Sequence, residues 1–197
     1  MSYDINALTA DCYDGTTCLI NKFNIHDEAK LAQIEADITF AKLSELEQNP
    51  INENFDFEHY KSIHKYLFSD LYDWAGQVRT VNIAKKGTSF VSPEDIEELA
   101  KNCFSLLKSQ NYFKDCDFDS FVSNIVDFYS TTNMLHPFRE GNGRTQRVFI
   151  SQLIRNAGYD INFENIDSEE LMIATIQAAN GVTDNLYKIF KKSIVTL

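Results

Sequence analysis

His136-Pro137-Phe138-Arg139-Glu140-Gly141-Asn142-Gly143-Arg144-Thr145-Gln146-Arg147 gathers one imidazole, one carboxylate, two glycines and three guanidinium groups into twelve residues. Upstream, Phe118, Phe121, Val122, Ile125, Val126 and Tyr129 recur at helical spacing, so the segment leading into the stretch reads as a buried amphipathic helix. Pro137 disfavours helical geometry at His136, while Gly141 and Gly143 permit a tight turn that side-chain-bearing residues resist. A loop of about six residues is the consequence. From Arg144 the helical period returns, with Phe149, Ile150, Leu153, Ile154 and Ala157 on one face and Gly158 where a C-terminal cap belongs. The stretch therefore predicts helix, glycine loop, helix.

The first backbone N–H groups of the second helix have no intrahelical partner, and its dipole concentrates partial positive charge there. Arg144 and Arg147 stand three residues apart, hence on one face, and add charge-assisted bonds to an anion. Phosphate is the natural ligand. Glu140, beside such an anion, suits a divalent cation that bridges to the phosphates, and magnesium is the expected metal. His136 is the side chain whose ordinary pKa best suits accepting a proton near neutral pH. A base beside a nucleotide phosphate points to group transfer.

The spacing excludes a P-loop, since GxxxxGK[ST] is absent, and excludes a dinucleotide turn, since Gly141-Asn142-Gly143 lacks the third glycine and follows a helix. The sequence instead resembles the Fic family, whose signature HPFx[D/E]GNGRxxR has nine specified positions, all filled between His136 and Arg147. The resemblance extends over Tyr13 to Glu47, Phe68 to Val91 and the region after Arg147, in the manner of small bacterial Fic proteins. It implies a mainly α fold, a Fic-type helical domain with a small β-hairpin flap. It also implies transfer of AMP from ATP to a target hydroxyl, with His136 as base and Glu140 on magnesium. Gly141, Asn142, Gly143 and Arg144 would lie at the nucleotide, the last three on the α and β phosphates, and Arg147 would hold the γ phosphate.

Length and charge agree with one domain spanning 1–197. A formal net charge of −11 argues against nonspecific nucleic-acid binding, whereas Arg139, Arg144 and Arg147 reverse the sign locally. Cys12, Cys18, Cys103 and Cys116 form no CxxC pair and no zinc pattern. With no signal peptide and no apolar run of membrane-spanning length, a reducing cytoplasm is the expected compartment, and export as an effector stays open.

Along the chain, 1–23 reads as an extended arm. A long amphipathic helix follows from about Glu28 to Glu47, stopped by Asn49-Pro50, and its pattern is that of a core-packing element. Phe57 to Leu71 reads as an aromatic-rich helix in which His64 is a hydrogen-bonded core residue. Val78 to Ile83 and Thr88 to Val91 alternate as a hairpin about Lys85-Lys86-Gly87, giving a flap over 78–91. A strand edge there can pair with an extended target segment, and the family resemblance places target docking on this flap, at Val81, Asn82, Ile83, Lys85, Lys86 and Gly87. Ser92 and Pro93 open a helix to about Lys108. Asp167 opens another to about Ala179, and Thr183 to Asn185 a last one ending near Ile194.

The expected activity is therefore a protein adenylyltransferase with ATP as substrate and a Ser, Thr or Tyr hydroxyl of a protein as acceptor. A nucleotide-binding interaction protein without transfer is the rival. Many Fic proteins carry an inhibitory helix, [ST]xxxE[GN], whose glutamate pairs with the second motif arginine. No Ser or Thr here is followed by Glu four residues later. A separate antitoxin supplying that glutamate, docked on the Glu28–Glu47 helix, is the expectation for a toxin–antitoxin pair. A degenerate internal inhibitor and a secreted effector are the alternatives.

Overall fold

The computed structural model describes residues 11–51, 54–85 and 87–197. The first ten residues of the arm, and Lys86 of the flap, lie outside them. Seven α-helices and two small two-stranded sheets are present among the described residues.

α1 (Glu28–Gln48) starts where the Asp27 carboxylate accepts from the Lys30 N–H, satisfying one of the first-turn donors. α2 (Phe57–Phe68) is capped in the same way by Asp56, and α4 (Phe118–Leu135) by Asp117. Ser92 and Pro93 open a 3-10 turn, Pro93–Asp95, that leads into α3 (Ile96–Ser109). α5 (Asn142–Asn156) begins at Asn142, two residues before the returning apolar period, because Gly141 takes a left-handed φ of 79° that places its carbonyl to accept from Thr145. α6 (Ser168–Ala179) and α7 (Asp184–Ser193) complete the helical shell.

α5 is the axis of the packing, lying against α2 and α4, while α4 also packs on α3, α6 and α7. Phe149 on α5 is fully buried and meets the rings of Phe55, Tyr60, Phe104 and Phe128 at 5.4–5.9 Å. Truncating such a ring costs about 3–5 kcal/mol. The motif helix is therefore held by the core itself.

The flap differs from the alternating pattern of 78–91. Among its described residues only β1 (Ala84–Lys85) and β2 (Thr88–Ser89) pair as strands. The Val81 and Val91 carbonyls, which a longer ladder would have used, instead accept from the Arg79 guanidinium at 2.7 Å and 2.5 Å. A second sheet, unforeseen in the sequence, joins β3 (Tyr159–Ile161) to β4 (Ile194–Thr196) antiparallel, so the segment after α7 returns to the end of α5.

Candidate functional site

His136 follows α4 as its C-cap, in the left-handed region at φ 40° and ψ 57°. That conformation is uncommon outside glycine and asparagine, and it turns the chain out of the helix so that Pro137 can begin the loop. The imidazole is 7 % exposed. Its Nδ1 lies 3.1 Å from the Asn133 carbonyl, which can only accept, so the ring proton belongs to Nδ1 and the lone pair to Nε2. Phe90 of the flap stacks on the ring at 3.7 Å with 14° between planes. Burial pushes the pKa down to about 3, the Asn133 bond opposes, and the charges of Lys85 and Arg79 lower it further. The imidazole is neutral at physiological pH.

The loop itself is built from inside. Asn142 is 4 % exposed, and its amide clamps Phe138 twice, accepting from the Phe138 N–H at 2.8 Å and donating to the Phe138 carbonyl at 2.7 Å. What Asn142 presents to an anion is thus its backbone N–H. Since the first intrahelical bond runs from Thr145 to Gly141, the N–H groups of Asn142, Gly143 and Arg144 all precede the helical ladder. Phe138 is sandwiched between Tyr60 and His64, at 5.8 Å and 3.8 Å. His64 is the hydrogen-bonded core residue its surroundings predict: Nδ1 accepts from the Gly76 N–H at 2.8 Å, and Nε2 donates to the Glu140 carbonyl at 3.0 Å.

Arg144 is the most engaged of the motif side chains. Its guanidinium lies 4.8 Å over the Phe68 ring, Nη1 donates to Thr39 Oγ1 at 3.2 Å, and Nη2 pairs with the Glu35 carboxylate. The other Glu35 oxygen accepts from the Tyr72 hydroxyl at 2.5 Å. Glu140 Oε1 accepts from the Gly141 N–H at 2.8 Å and stands 3.7 Å from the same guanidinium. Burial raises the Glu140 pKa, with Glu35 adding to the rise and the Gly141 bond, Arg144 and Lys85 opposing it. Arg147, one turn on, brings its Nη1 back over Gly143, 3.3 Å from where a Cβ would stand.

His136, Glu140, Gly141, Asn142, Gly143, Arg144 and Arg147 are thus on one loop and helix end, with Lys85 close enough for its charge to act on both His136 and Glu140. Arg139 is turned elsewhere: it is 6 % exposed, with Nε 3.4 Å from Asp11 of the arm. Of the flap residues, Ile83 is buried in the body, Asn82 and Gly87 are exposed, and Val81 is held by Arg79. Glu35 and Thr39 were hidden by the pattern of α1, which reads as core packing. The one local signal is that they continue the buried line of Leu31 at four-residue steps. Cys18, Cys103 and Cys116 are free thiols, and Cys12 Sγ accepts from Arg139 Nη2 at 3.6 Å.

A groove of about 160 Å³ opens beside the loop between α1, α5 and the segment 161–164. Phe40, Leu43, Val148 and Phe163 give it apolar walls, and Arg144 and Arg147 line one end.

Residues 54–154 match the profile of the Fic/DOC family. The chain is 35 % identical over 179 residues to "Protein adenylyltransferase VbhT" of Bartonella schoenbuchensis, covering 91 % of this chain and 37 % of that protein. It is 34 % identical over 171 residues to "Probable protein adenylyltransferase y4lH" of Sinorhizobium fredii, covering 86 % and 88 %. Among solved structures, the AMPPNP-bound BepC protein of Bartonella tribocorum, a VirB-translocated effector, superposes with a TM-score of 0.89 at 26 % identity, covering 98 % of this chain and all of that one.

Proposed function

Because the chain belongs to the Fic/DOC family, we propose that it is a protein adenylyltransferase that moves AMP from ATP to a side-chain hydroxyl of another protein. The observation that carries this reading is the neutral, buried His136 with its lone pair on Nε2, on the same short loop as three outward backbone N–H groups and two arginines. The target oxygen attacks the α phosphorus in line, the bond from that phosphorus to the α–β bridging oxygen breaks, and pyrophosphate leaves. The hydroxyl proton passes to Nε2. A bound triphosphate brings negative charge next to the imidazole, which raises its proton affinity from the depressed value of the nucleotide-free protein.

The backbone amides of Asn142 and Gly143 and the fork of Arg144 suit the α and β phosphates, and Arg147 suits the γ phosphate. Glu140 supplies a hard oxygen, in a buried position that raises its pKa despite the nearby charges of Arg144 and Lys85. Among the described residues no group of three acidic, histidine or cysteine side chains could cage a cation. This donor set fits magnesium held chiefly by phosphates and water. When bound, the ion would neutralise charge building on the phosphate oxygens.

A regulatory reading has its own support. The groove beside Arg147 and the exposed Phe40 on α1, 67 % accessible, suit a helix from a separate inhibitory protein that lays apolar residues on α1 and turns a carboxylate to Arg147. On this reading the chain is the cytoplasmic toxin of a toxin–antitoxin pair. No helix among the described residues is long and apolar enough to cross a membrane.

The deciding experiment incubates the protein, magnesium and a cell extract with ATP labelled on either the α or the γ phosphate. AMP transfer puts the α label alone on protein, with an added AMP mass on a Ser, Thr or Tyr. Label from the γ position would mean phosphate transfer, and nucleotide retained without labelling would mean a binding protein.

A further inference from the structure

Arg79 is 4 % exposed and sits between the two sides of the flap and the start of the loop. Its Nε donates to the His136 carbonyl at 2.8 Å, Nη1 to the Val81 carbonyl at 2.7 Å and Nη2 to the Val91 carbonyl at 2.5 Å. Its own backbone N–H donates to the Pro137 carbonyl at 2.8 Å. Two further contacts close the same junction: the Val91 N–H donates to the Met134 carbonyl at 3.1 Å, and the Phe90 ring covers the His136 imidazole. One residue thereby fastens both sides of the flap to the start of the loop, 57 residues further along the chain.

We propose that Arg79 is a positioning residue that makes the flap and the loop a single body, so that the part of the protein facing the target also aligns the base. The inference rests on the AMP-transfer reading for its effect on rate, and on the bonding geometry for its mechanics. A guanidinium can serve three carbonyls at once because its donors diverge in a rigid plane. A lysine carries its charge on one tetrahedral nitrogen and cannot reach the same three acceptors. The bond to the His136 carbonyl fixes the backbone of that residue, the Asn133 carbonyl fixes its Nδ1, and Phe90, held by its neighbour Val91, fixes the plane of its ring. If the flap shifts, the ring shifts with it. None of these bonds touches the start of α5, so nucleotide affinity and base alignment are separable.

The test compares wild type with Arg79→Lys and Phe90→Leu, using turnover of AMP transfer, the dissociation constant for ATP, thermal unfolding, and amide hydrogen exchange. Misaligning a reacting group by about an ångström costs about a hundredfold in rate. Turnover should fall at least tenfold in Arg79→Lys while ATP affinity stays within twofold. Exchange should rise together in 80–91 and 133–138 and stay unchanged in α5. Phe90→Leu, which leaves the Arg79 bonds in place, should lower turnover without loosening the flap. The inference is overturned if exchange rises in the flap alone, or if ATP affinity falls in step with turnover as the protein loses its fold. Should wild type transfer no AMP, the functional reading fails, and the paired exchange still decides whether Arg79 joins flap to loop.

Discussion

Replacing Gly141 with alanine tests the loop at its tightest point. The residue has φ +79°, and an added Cβ would stand 2.2 Å from Cζ and 2.3 Å from Cε2 of Phe68. Holding an L-residue in the left-handed region costs about 1–2 kcal/mol. The ring cannot swing away cheaply, since Phe68 is fully buried and stacked on His64 at 4.6 Å, and overpacking of this kind costs about 1–3 kcal/mol. The sum, about 2–5 kcal/mol, corresponds to a fall in Tm of about 4–20 °C for a chain of this size. Far-UV circular dichroism during heating measures it. Gly143→Ala is the matched control: its Cβ meets only the mobile end of Arg147 at 3.3 Å, and within a helix alanine is favoured over glycine. Its Tm should stay within a few degrees of wild type. Phe68 is also the surface beneath Arg144, so Gly141→Ala should weaken ATP binding as well as the fold. Equal Tm shifts in the two variants, or an unshifted Gly141→Ala, would refute the steric argument.

Other outcomes follow from the same geometry. His136→Asn, a residue that tolerates the left-handed C-cap, should abolish labelling of protein from α-labelled ATP while ATP binding persists; labelling at the wild-type rate would remove His136 from the chemistry. Glu35→Ala leaves the Arg144 guanidinium and the Tyr72 hydroxyl without their shared carboxylate and should cost about 2–3 kcal/mol in urea unfolding, with Glu35→Gln recovering part of it. His136 and His64 both have folded-state pKa values pushed from 6.5 to about 3 by burial. Between those values the unfolded chain binds protons that the folded one refuses, so their contribution is complete above pH 6.5 and is lost as pH falls. Each adds a slope of up to about 1.4 kcal/mol per pH unit, which denaturant titrations between pH 7 and pH 4 would read, and a flat profile would contradict it.

The sequence disclosed what is local. The apolar period of α4, the breaking effect of Pro137 and the glycines of the loop each act within a few residues, and they led to the helix–loop–helix on which His136, Glu140, Arg144 and Arg147 sit. Three-residue strands are another matter: β3 and β4 exist only because 159–161 and 194–196 meet in space, and neither carries a period long enough to read. Arg79 looked like the polar half of an alternating strand, whereas it is the bond donor that cuts that strand short. Glu35 and Thr39 lay inside a helix whose apolar residues suggested packing alone. Their role depends on Arg144, more than a hundred residues away, and no local pattern encodes that distance. Arg139 shows the converse, since proximity in sequence to the other two arginines did not bring it to their side of the loop.

The loop spans 136–141, between the last turn of α4 and the first turn of α5, and the two ends of helix it joins have opposite polarity. Carbonyl oxygens point out of the end of α4, where His136 sits, and N–H groups point out of the start of α5. The second pole suits a phosphate, and on the AMP-transfer reading the negative charge of a bound triphosphate offsets the low proton affinity of His136 at the first. On that reading, when a hydroxyl loses its proton to attack phosphorus, the proton and the negative charge building on the phosphates would each move toward the helix end of opposite sign. The separation of charge that the reaction demands is thus already written into the direction of the peptide chain on either side of six residues.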